Sequence, residues 1–176
     1  MTDAPTIRRV TELTEAQLGD LAEVVLDGVA DGASFGFMDG FTREQAVTFW
    51  RDVAAGVARG DRALLIAEDE HGVCGTAQLR YAQPDNQPHR ADVAKVLVHR
   101  RARRRGLGAA LMEAIVAVAR EEGKTLLVLD TVTDSAADRL YTRLGWQRVG
   151  EIADYALYPD GRLCPSTFFY RRVGPA

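Results

Sequence analysis

Five arginines and two glycines fall within nine residues in the stretch VHRRARRRGLGAAL (98–111). A strand-like run ends at Val98, a short loop follows, and an apolar-periodic helix begins at Leu107. The first amides of such a helix have no intrahelical partners, and the helix dipole adds positive potential at the same place. An anionic phosphate belongs there. Gly106 and Gly108 carry no Cβ, so a ligand can approach the backbone closely. Arg103, Arg104 and Arg105 add guanidinium forks that match phosphate oxygens. Two readings compete with a pyrophosphate site: a solvated basic loop and an RNA-contacting patch. The lysine-bearing Walker spacing and the full GxGxxG pattern are both absent.

Other chemistry-bearing residues are sparse. His71, His89 and His99 show no metal-ligand spacing, so no metal site is expected. Cys74 and Cys164 lie far apart in apolar, strand-like sequence, which reads as two reduced, buried thiols, with a nucleophilic or disulfide role as the alternative. The chain has 176 residues, 47% hydrophobic and 27% charged, with a net charge of −3. That composition fits one globular domain over residues 1–176. The mildly acidic balance weighs against nucleic acid as a partner. No apolar run reaches signal-peptide or bilayer length, so no membrane association and a cytoplasmic location are expected.

The elements that must position the loop follow from periodicity. TIRRVTE (6–12) alternates as a first strand. Thr14 with Gln17, and Thr42 with Gln45, are capping-box signatures. They open helices over about 15–30, with Leu18, Leu21, Val25 and Val29 on one face, and from 42 to Gly60, with Ala46, Phe49, Trp50, Val53 and Val57. RALLIAED and VCGTAQLRY form a hairpin through His71-Gly72, and RADVAKVLV (90–98) is the next strand. Leu107, Leu111, Ile115 and Val118 mark a third helix. TLLVLD (125–130) is an apolar run covered on both faces, with Asp130 at its end. Ala137, Leu140, Tyr141 and Leu144 mark a short fourth helix stopped by Gly145. WQRVGEIADYAL and CPSTFFYRRV, joined by YPDGRL, make a final hairpin. The order is β-α-α-β-β-β-α-β-α-β-β, a mixed α/β sheet with helices on both faces.

Two motifs together resemble a known family. Arg103-Arg104-Arg105-Gly106-Leu107-Gly108 is similar to the Arg/Gln-x-x-Gly-x-Gly/Ala signature of the GCN5-related N-acetyltransferases (GNAT). Asp134-x-x-Ala137-x-x-Leu140-Tyr141-x-x-Leu144-Gly145-Trp146 is similar to its Asn-x-x-Ala-x-x-Leu-Tyr-x-x-x-Gly-Phe signature, one helix and one strand downstream. Asp134 replaces an asparagine and Trp146 a phenylalanine. GASFGFM, AKVLV, LDT and YPDGRLCP are further similar to the tabtoxin-resistance subfamily, whose acceptor is tabtoxinine-β-lactam. The resemblance implies the GNAT fold, with a mostly antiparallel sheet of about seven strands.

It also implies roles. Acetyl-CoA would be the donor, its pyrophosphate on the amides from Arg103 through Gly106, Leu107, Gly108 and Ala109. Arg100, Arg101, Arg104 and Arg105 are candidates for the adenosine phosphates. The pantetheine arm would pair with Val96, Leu97 and Val98, where that strand splays from the strand at 125–130, with an amide near Val98 as oxyanion donor. Asp134, Ala137 and Tyr141 would complete the cofactor site, with Tyr141 protonating the departing thiolate. The base is Asp130, Asp92 or water. Phe35, Phe37 and Met38 would close over the acceptor or else serve as core or a dimer contact. Lys95, Tyr155, Asp160 and Arg162 are candidates for selecting a polar, zwitterionic acceptor. The expected reaction is direct N-acetylation of a small-molecule amine. A protein or peptide N-acetyltransferase and a non-catalytic acyl-CoA sensor are the alternatives, and a homodimer is left open.

Overall fold

The computed structural model describes residues 4–174. Seven strands and four α-helices occur among them in the expected order: β1 (Thr6–Val10), α1 (Glu15–Ala30), α2 (Arg43–Ala58), β2 (Arg62–Asp69), β3 (Gly72–Tyr81), β4 (Arg90–Val98), α3 (Leu107–Glu121), β5 (Leu126–Val132), α4 (Ala136–Arg143), β6 (Gln147–Leu157) and β7 (Leu163–Arg172). The strands form one sheet in the order β1-β2-β3-β4-β5-β7-β6. Every pairing is antiparallel except β4 with β5.

Both capping boxes form. Thr14 Oγ1 accepts from the Gln17 amide at 3.2 Å, and Gln17 Oε1 accepts from the Thr14 amide at 3.0 Å. The matching distances at Thr42 and Gln45 are 3.2 and 2.8 Å. Each box satisfies orphan amides of its helix and fixes where it starts.

Alternation along β2 explains why its sequence is apolar without interruption. Ala63, Leu65 and Ala67 face α3 and join Leu111, Ile115 and Leu127 in one core. Leu64 and Ile66 face the α1–α2 pair and join Leu21, Val25 and Trp50 in the other. A strand covered on both faces needs apolar side chains on both. No helix among the described residues is long and apolar enough to cross a membrane.

Two irregularities shape the middle of the sheet. Leu97 pairs with Thr76 and Ala94 with Gln78, so β4 has one more residue than β3 opposite Ala77. Lys95, with φ of +51°, absorbs the extra residue as a bulge. The parallel β4–β5 ladder holds only from Arg90–Leu126 to Asp92–Val128. Past that point the two strands diverge, while β5 stays paired with β7 through Val132. Asp130 therefore does not end its strand as the apolar run indicated. It lies inside β5, opposite Phe168, because pairing with β7 carries Thr131 and Val132 onward after β4 has left.

Candidate active site

The divergence of β4 and β5 opens a cleft of about 510 Å³. Its walls bring together Asp92, Lys95, Val96, Leu97, Asp130, Ala137 and Tyr141, residues far apart in the chain. Ala137 and Tyr141 are four apart on α4 and so share the face turned to the cleft. Tyr155 joins them from β6, where Asp154 at φ of +55° and a register shift between Ile152 and Ala156 bend the strand. The Tyr155 ring stacks edge-on against Phe168 at 5.1 Å.

Tyr141 is 5% exposed, held by edge-on and tilted contacts with Phe169 and Trp146 at 6.0 and 6.2 Å. Burial, and secondarily the negative charge of Asp130, push its hydroxyl well above the usual tyrosine range. It is therefore a proton-bearing donor at any physiological pH. Trp146 is buried in the same core, as a larger aromatic in a packing position.

Asp130 is reached by solvent through the cleft mouth but crowded by protein on its other sides. That crowding raises its carboxyl above the ordinary range. A hydrogen bond from Ser166 and the charges of Lys95 and Arg80 act in the opposite direction without cancelling it. Asp92 is differently placed. Its Oδ1 accepts from Arg90 Nη1 at 2.7 Å, so its charge is already answered within β4. Of the two carboxylates offered by the sequence, Asp92 is the one held in an ion pair.

Lys95 points its ammonium at the α1–α2 connection and donates to the Phe35 carbonyl at 2.6 Å. Its Nζ also lies 5.2 Å from the centre of the Phe37 ring. Burial lowers its pKa, as does the neighbouring charge of Arg80. The same connection is fastened to the terminal hairpin: Ser34 Oγ donates to the Leu157 carbonyl at 2.6 Å and the Asp39 amide to that of Pro159 at 3.0 Å. Residues 34–36 thereby roof one end of the cleft.

The three residues expected to close over an acceptor part company here. Phe35 lines the cleft, Phe37 packs with Phe41 and Phe49 at 4.3 and 5.1 Å, and Met38 is 41% exposed outside the cleft lining. Ring packing between the helices takes Phe37 away from the cleft. Asp160 and Arg162 pair with each other at 2.7 Å in the exposed turn, also outside that lining.

The arginine loop follows β4, whose Val96 and Leu97 line the cleft, and leads into α3. Gly106 takes φ of +77° and caps α3 without a side-chain hydrogen bond, and Arg104 is left-handed too, at +59°. The amides of Leu107, Gly108 and Ala109 have no acceptor among the described residues. A Cβ on Gly108 would lie 3.3 Å from Leu140 Cδ2, so this glycine lets α3 and α4 meet.

Most of the arginine side chains have a different task from the one their clustering indicated. Arg100 pairs with Asp27, Arg101 with Asp69, and Arg103 with Asp31. Arg103 Nε also donates to the Val98 carbonyl at 3.0 Å. These three side chains bind the loop to α1 and to the β2–β3 turn. Arg104 and Arg105 remain exposed on the loop.

Asp134 is exposed, outside the cleft lining, and it does not cap α4. Ser135 does, its Oγ accepting from the Asp138 amide at 3.1 Å. The largely buried Asp138, which the sequence reading did not single out, accepts from the Asp134 amide at 2.8 Å and organises the β5–α4 turn. Arg80 and Ser166 also line the cleft and were likewise missed. Arg80 stands opposite Asp92 in the β3–β4 register, and the strand pattern alone does not fix that register.

Cys74 and Cys164 are buried free thiols. Burial pushes Cys74 up to about 11, which suits a packed, protonated thiol. No cluster of three His, Cys, Asp or Glu among the described residues could hold a metal ion.

Residues 30–146 match the profile of the Acetyltransferase (GNAT) family, and they include both the loop and α4. The chain belongs to this family. It is therefore an acyltransferase by descent. An uncharacterized N-acetyltransferase of the hisH–hisA intergenic region in Azospirillum brasilense is 31% identical over 132 residues, 74% of this chain and 76% of the relative. Among solved structures, yncA from Salmonella typhimurium with acetyl-CoA superposes with a TM-score of 0.79 at 22% identity, covering 99% of this chain and 96% of the other. A phosphinothricin acetyltransferase from Sinorhizobium meliloti in complex with acetyl-CoA gives 0.79 at 19% identity, over 98% and 90%. At those identities the likeness speaks to the GNAT fold alone, which hosts many acceptors.

Proposed function

We propose that this chain, read over 1–176 as one cytoplasmic catalytic domain, transfers acetyl from acetyl-CoA directly to the amine of a small molecule. The observation that carries the reading is the meeting of a buried, protonated Tyr141 and a solvent-reachable Asp130 in the cleft where β4 leaves β5. The free amides at the start of α3 and the left-handed Gly106 fit the diphosphate of the donor. The β4 edge at Val96, Leu97 and Val98 has no strand partner on its β5 side, which fits a peptide-like pantetheine arm.

In the proposed step the neutral amine attacks the thioester carbonyl, a C–N bond forms and the C–S bond breaks. Tyr141 gives its proton to the departing thiolate, and the amine's proton passes to Asp130, directly or through water. Asp92, already paired with Arg90, is the weaker candidate base. The roof of residues 34–36 favours a small acceptor over a polypeptide tail, and a thiolate acid has no use in a sensor that only binds acyl-CoA. The similarity of GASFGFM and YPDGRLCP to the tabtoxin-resistance subfamily makes tabtoxinine-β-lactam the first acceptor to try, with toxin resistance as the corresponding role.

Thiol release from acetyl-CoA over a panel of small amines and amino acids, including this one, tests the reading. Acceptor-dependent release that collapses in Tyr141→Phe is expected. Donor binding without release for any acceptor, or full activity in the variant, would overturn it.

A further inference from the structure

The cleft carries more positive charge than the transfer step uses. Its charged lining residues are Arg80, Asp92, Lys95 and Asp130. Arg90 already answers Asp92. That leaves two cations facing one anion, with the charge of Arg80 acting on Lys95.

Arg80 is the less expected of the two. It lies at the end of β3, exposed at the cleft mouth, and makes no hydrogen bond or ion pair among the described residues. Its cross-strand neighbours do not compensate it. Asp92, opposite on β4, turns to Arg90, while Arg62, opposite on β2, is a second arginine. Like charges directly opposite in an antiparallel pair are destabilising. Arg62 Nη1 donates to Gln78 Oε1 at 3.2 Å, and its Nε is buried with no partner, so this arginine is committed inward. Local rules broken without compensation concentrate at functional sites. Lys95 spends one hydrogen bond on Phe35 and, as an ammonium, has two further donors.

We propose that Arg80 is a specificity-determining residue that receives an anionic group of the acceptor, so that the preferred acceptor is an amino-acid-like zwitterion carrying its amine and its acid in one small molecule. The inference rests on the transferase reading of the cleft. The guanidinium fork at the mouth matches a planar carboxylate or a tetrahedral phosphinate-type acid. Lys95, deeper and tied to the roof, supplements it from the bulge. Asp130, across the cleft, holds the amine end. An acceptor of this kind answers the surplus positive charge, whereas a neutral amine leaves one of the two cations uncompensated.

The test uses matched pairs of L-α-amino acids and their carboxamides, in thiol release with the full chain and with Arg80→Gln and Arg80→Lys. The carboxamide has the less basic amine, so more of it is neutral at a given pH and uncatalysed reactivity favours it. Preference for the acid therefore reports recognition. The wild type is expected to favour acids in kcat/KM by about 10- to 100-fold, the range of a charge-assisted contact. Arg80→Gln should bring the ratio near one, mainly through KM for the acid, and Arg80→Lys should restore part of it. The melting temperature should hold or rise, since one arginine of a repelling pair is gone.

Equal use of acids and amides by the wild type, or an equal loss for both in Arg80→Gln, would overturn the assignment. If no acceptor releases thiol, the transferase reading is what fails. Calorimetric titration of the same pairs then decides Arg80: acid-selective binding lost in Arg80→Gln upholds it, and unselective or absent binding overturns it.

Discussion

Asp27 accepts hydrogen bonds from Arg100 twice, from its backbone amide at 2.9 Å and from its guanidinium. The carboxylate is 8% exposed, and Arg103 Nη2 approaches it at 3.6 Å. One side chain of α1 thus fixes the turn that carries the loop before α3. Asp27→Ala should leave the amide and guanidinium without their acceptor, at a cost of about 1–3 kcal/mol. The expected result is a lower melting temperature and a KM for acetyl-CoA raised several-fold, with the acceptor's KM little affected. Steady-state kinetics with each substrate varied in turn would check it.

Tyr141→Phe keeps the ring contacts with Phe169 and Trp146 and removes only the hydroxyl. A lost general acid lowers the rate by roughly 10²- to 10⁴-fold. We expect that fall in kcat with a melting temperature close to the wild type. A melting temperature lowered by many degrees would mean that the hydroxyl serves packing instead.

Asp130 predicts a pH dependence. Its carboxyl is raised, so ionisation, and with it activity, is gained as pH climbs through a range above that of an ordinary carboxylate. The limb should vanish in Asp130→Asn, whereas a limb due to the acceptor's own amine would move with the acceptor chosen. The stability sign is the opposite one. A raised carboxyl in the folded state contributes stability at low pH that is lost as pH rises through the raised value. Asp130→Asn should therefore melt no lower than the wild type at neutral pH while losing activity.

Asp69 behaves in the reverse sense. The hydrogen bond from Arg101 is the largest influence on its carboxyl, which stands at about 2. A depressed carboxyl contributes stability that is present above its unfolded value and lost as pH falls through the folded one. Asp69→Asn should lower the melting temperature at pH 7, and the gap should close between about pH 4 and pH 2. A gap independent of pH would show that the Arg101 pairing is not its source.

The two glycines of the loop should fail differently. Gly106 has open space around its missing Cβ but a φ of +77°, so Gly106→Ala meets backbone strain of about 1–2 kcal/mol and should raise the KM for acetyl-CoA. At Gly108 the added side chain meets Leu140, on the helix that carries Tyr141. Gly108→Val should therefore depress kcat as well. Kinetics at saturating acetyl-CoA would separate the two.

Much of this protein is legible along the chain because much of it is local. Capping at Thr14 and Thr42 and the stop at Gly145 depend on neighbours within a few residues, and each stands where its pattern placed it. The paired motifs around Gly106 and Tyr141 were enough to indicate the family. The arginines were misleading for a physical reason. A cluster in sequence reports charge, but the partners Asp27, Asp31 and Asp69 lie 32 to 73 residues away and meet it only after folding.

The sequence by itself determined the element order and the placing of the helix starts and stops, since periodicity, capping and backbone freedom act at short range. Tertiary structure alone decided which carboxylate is tied into an ion pair, because Asp92 and Asp130 differ in what stands beside them. It also decided that Lys95 turns to the roof through a bulge and that Arg80 reaches the cleft without a partner. Those are properties of strand register and burial, and they arise only when distant segments pack.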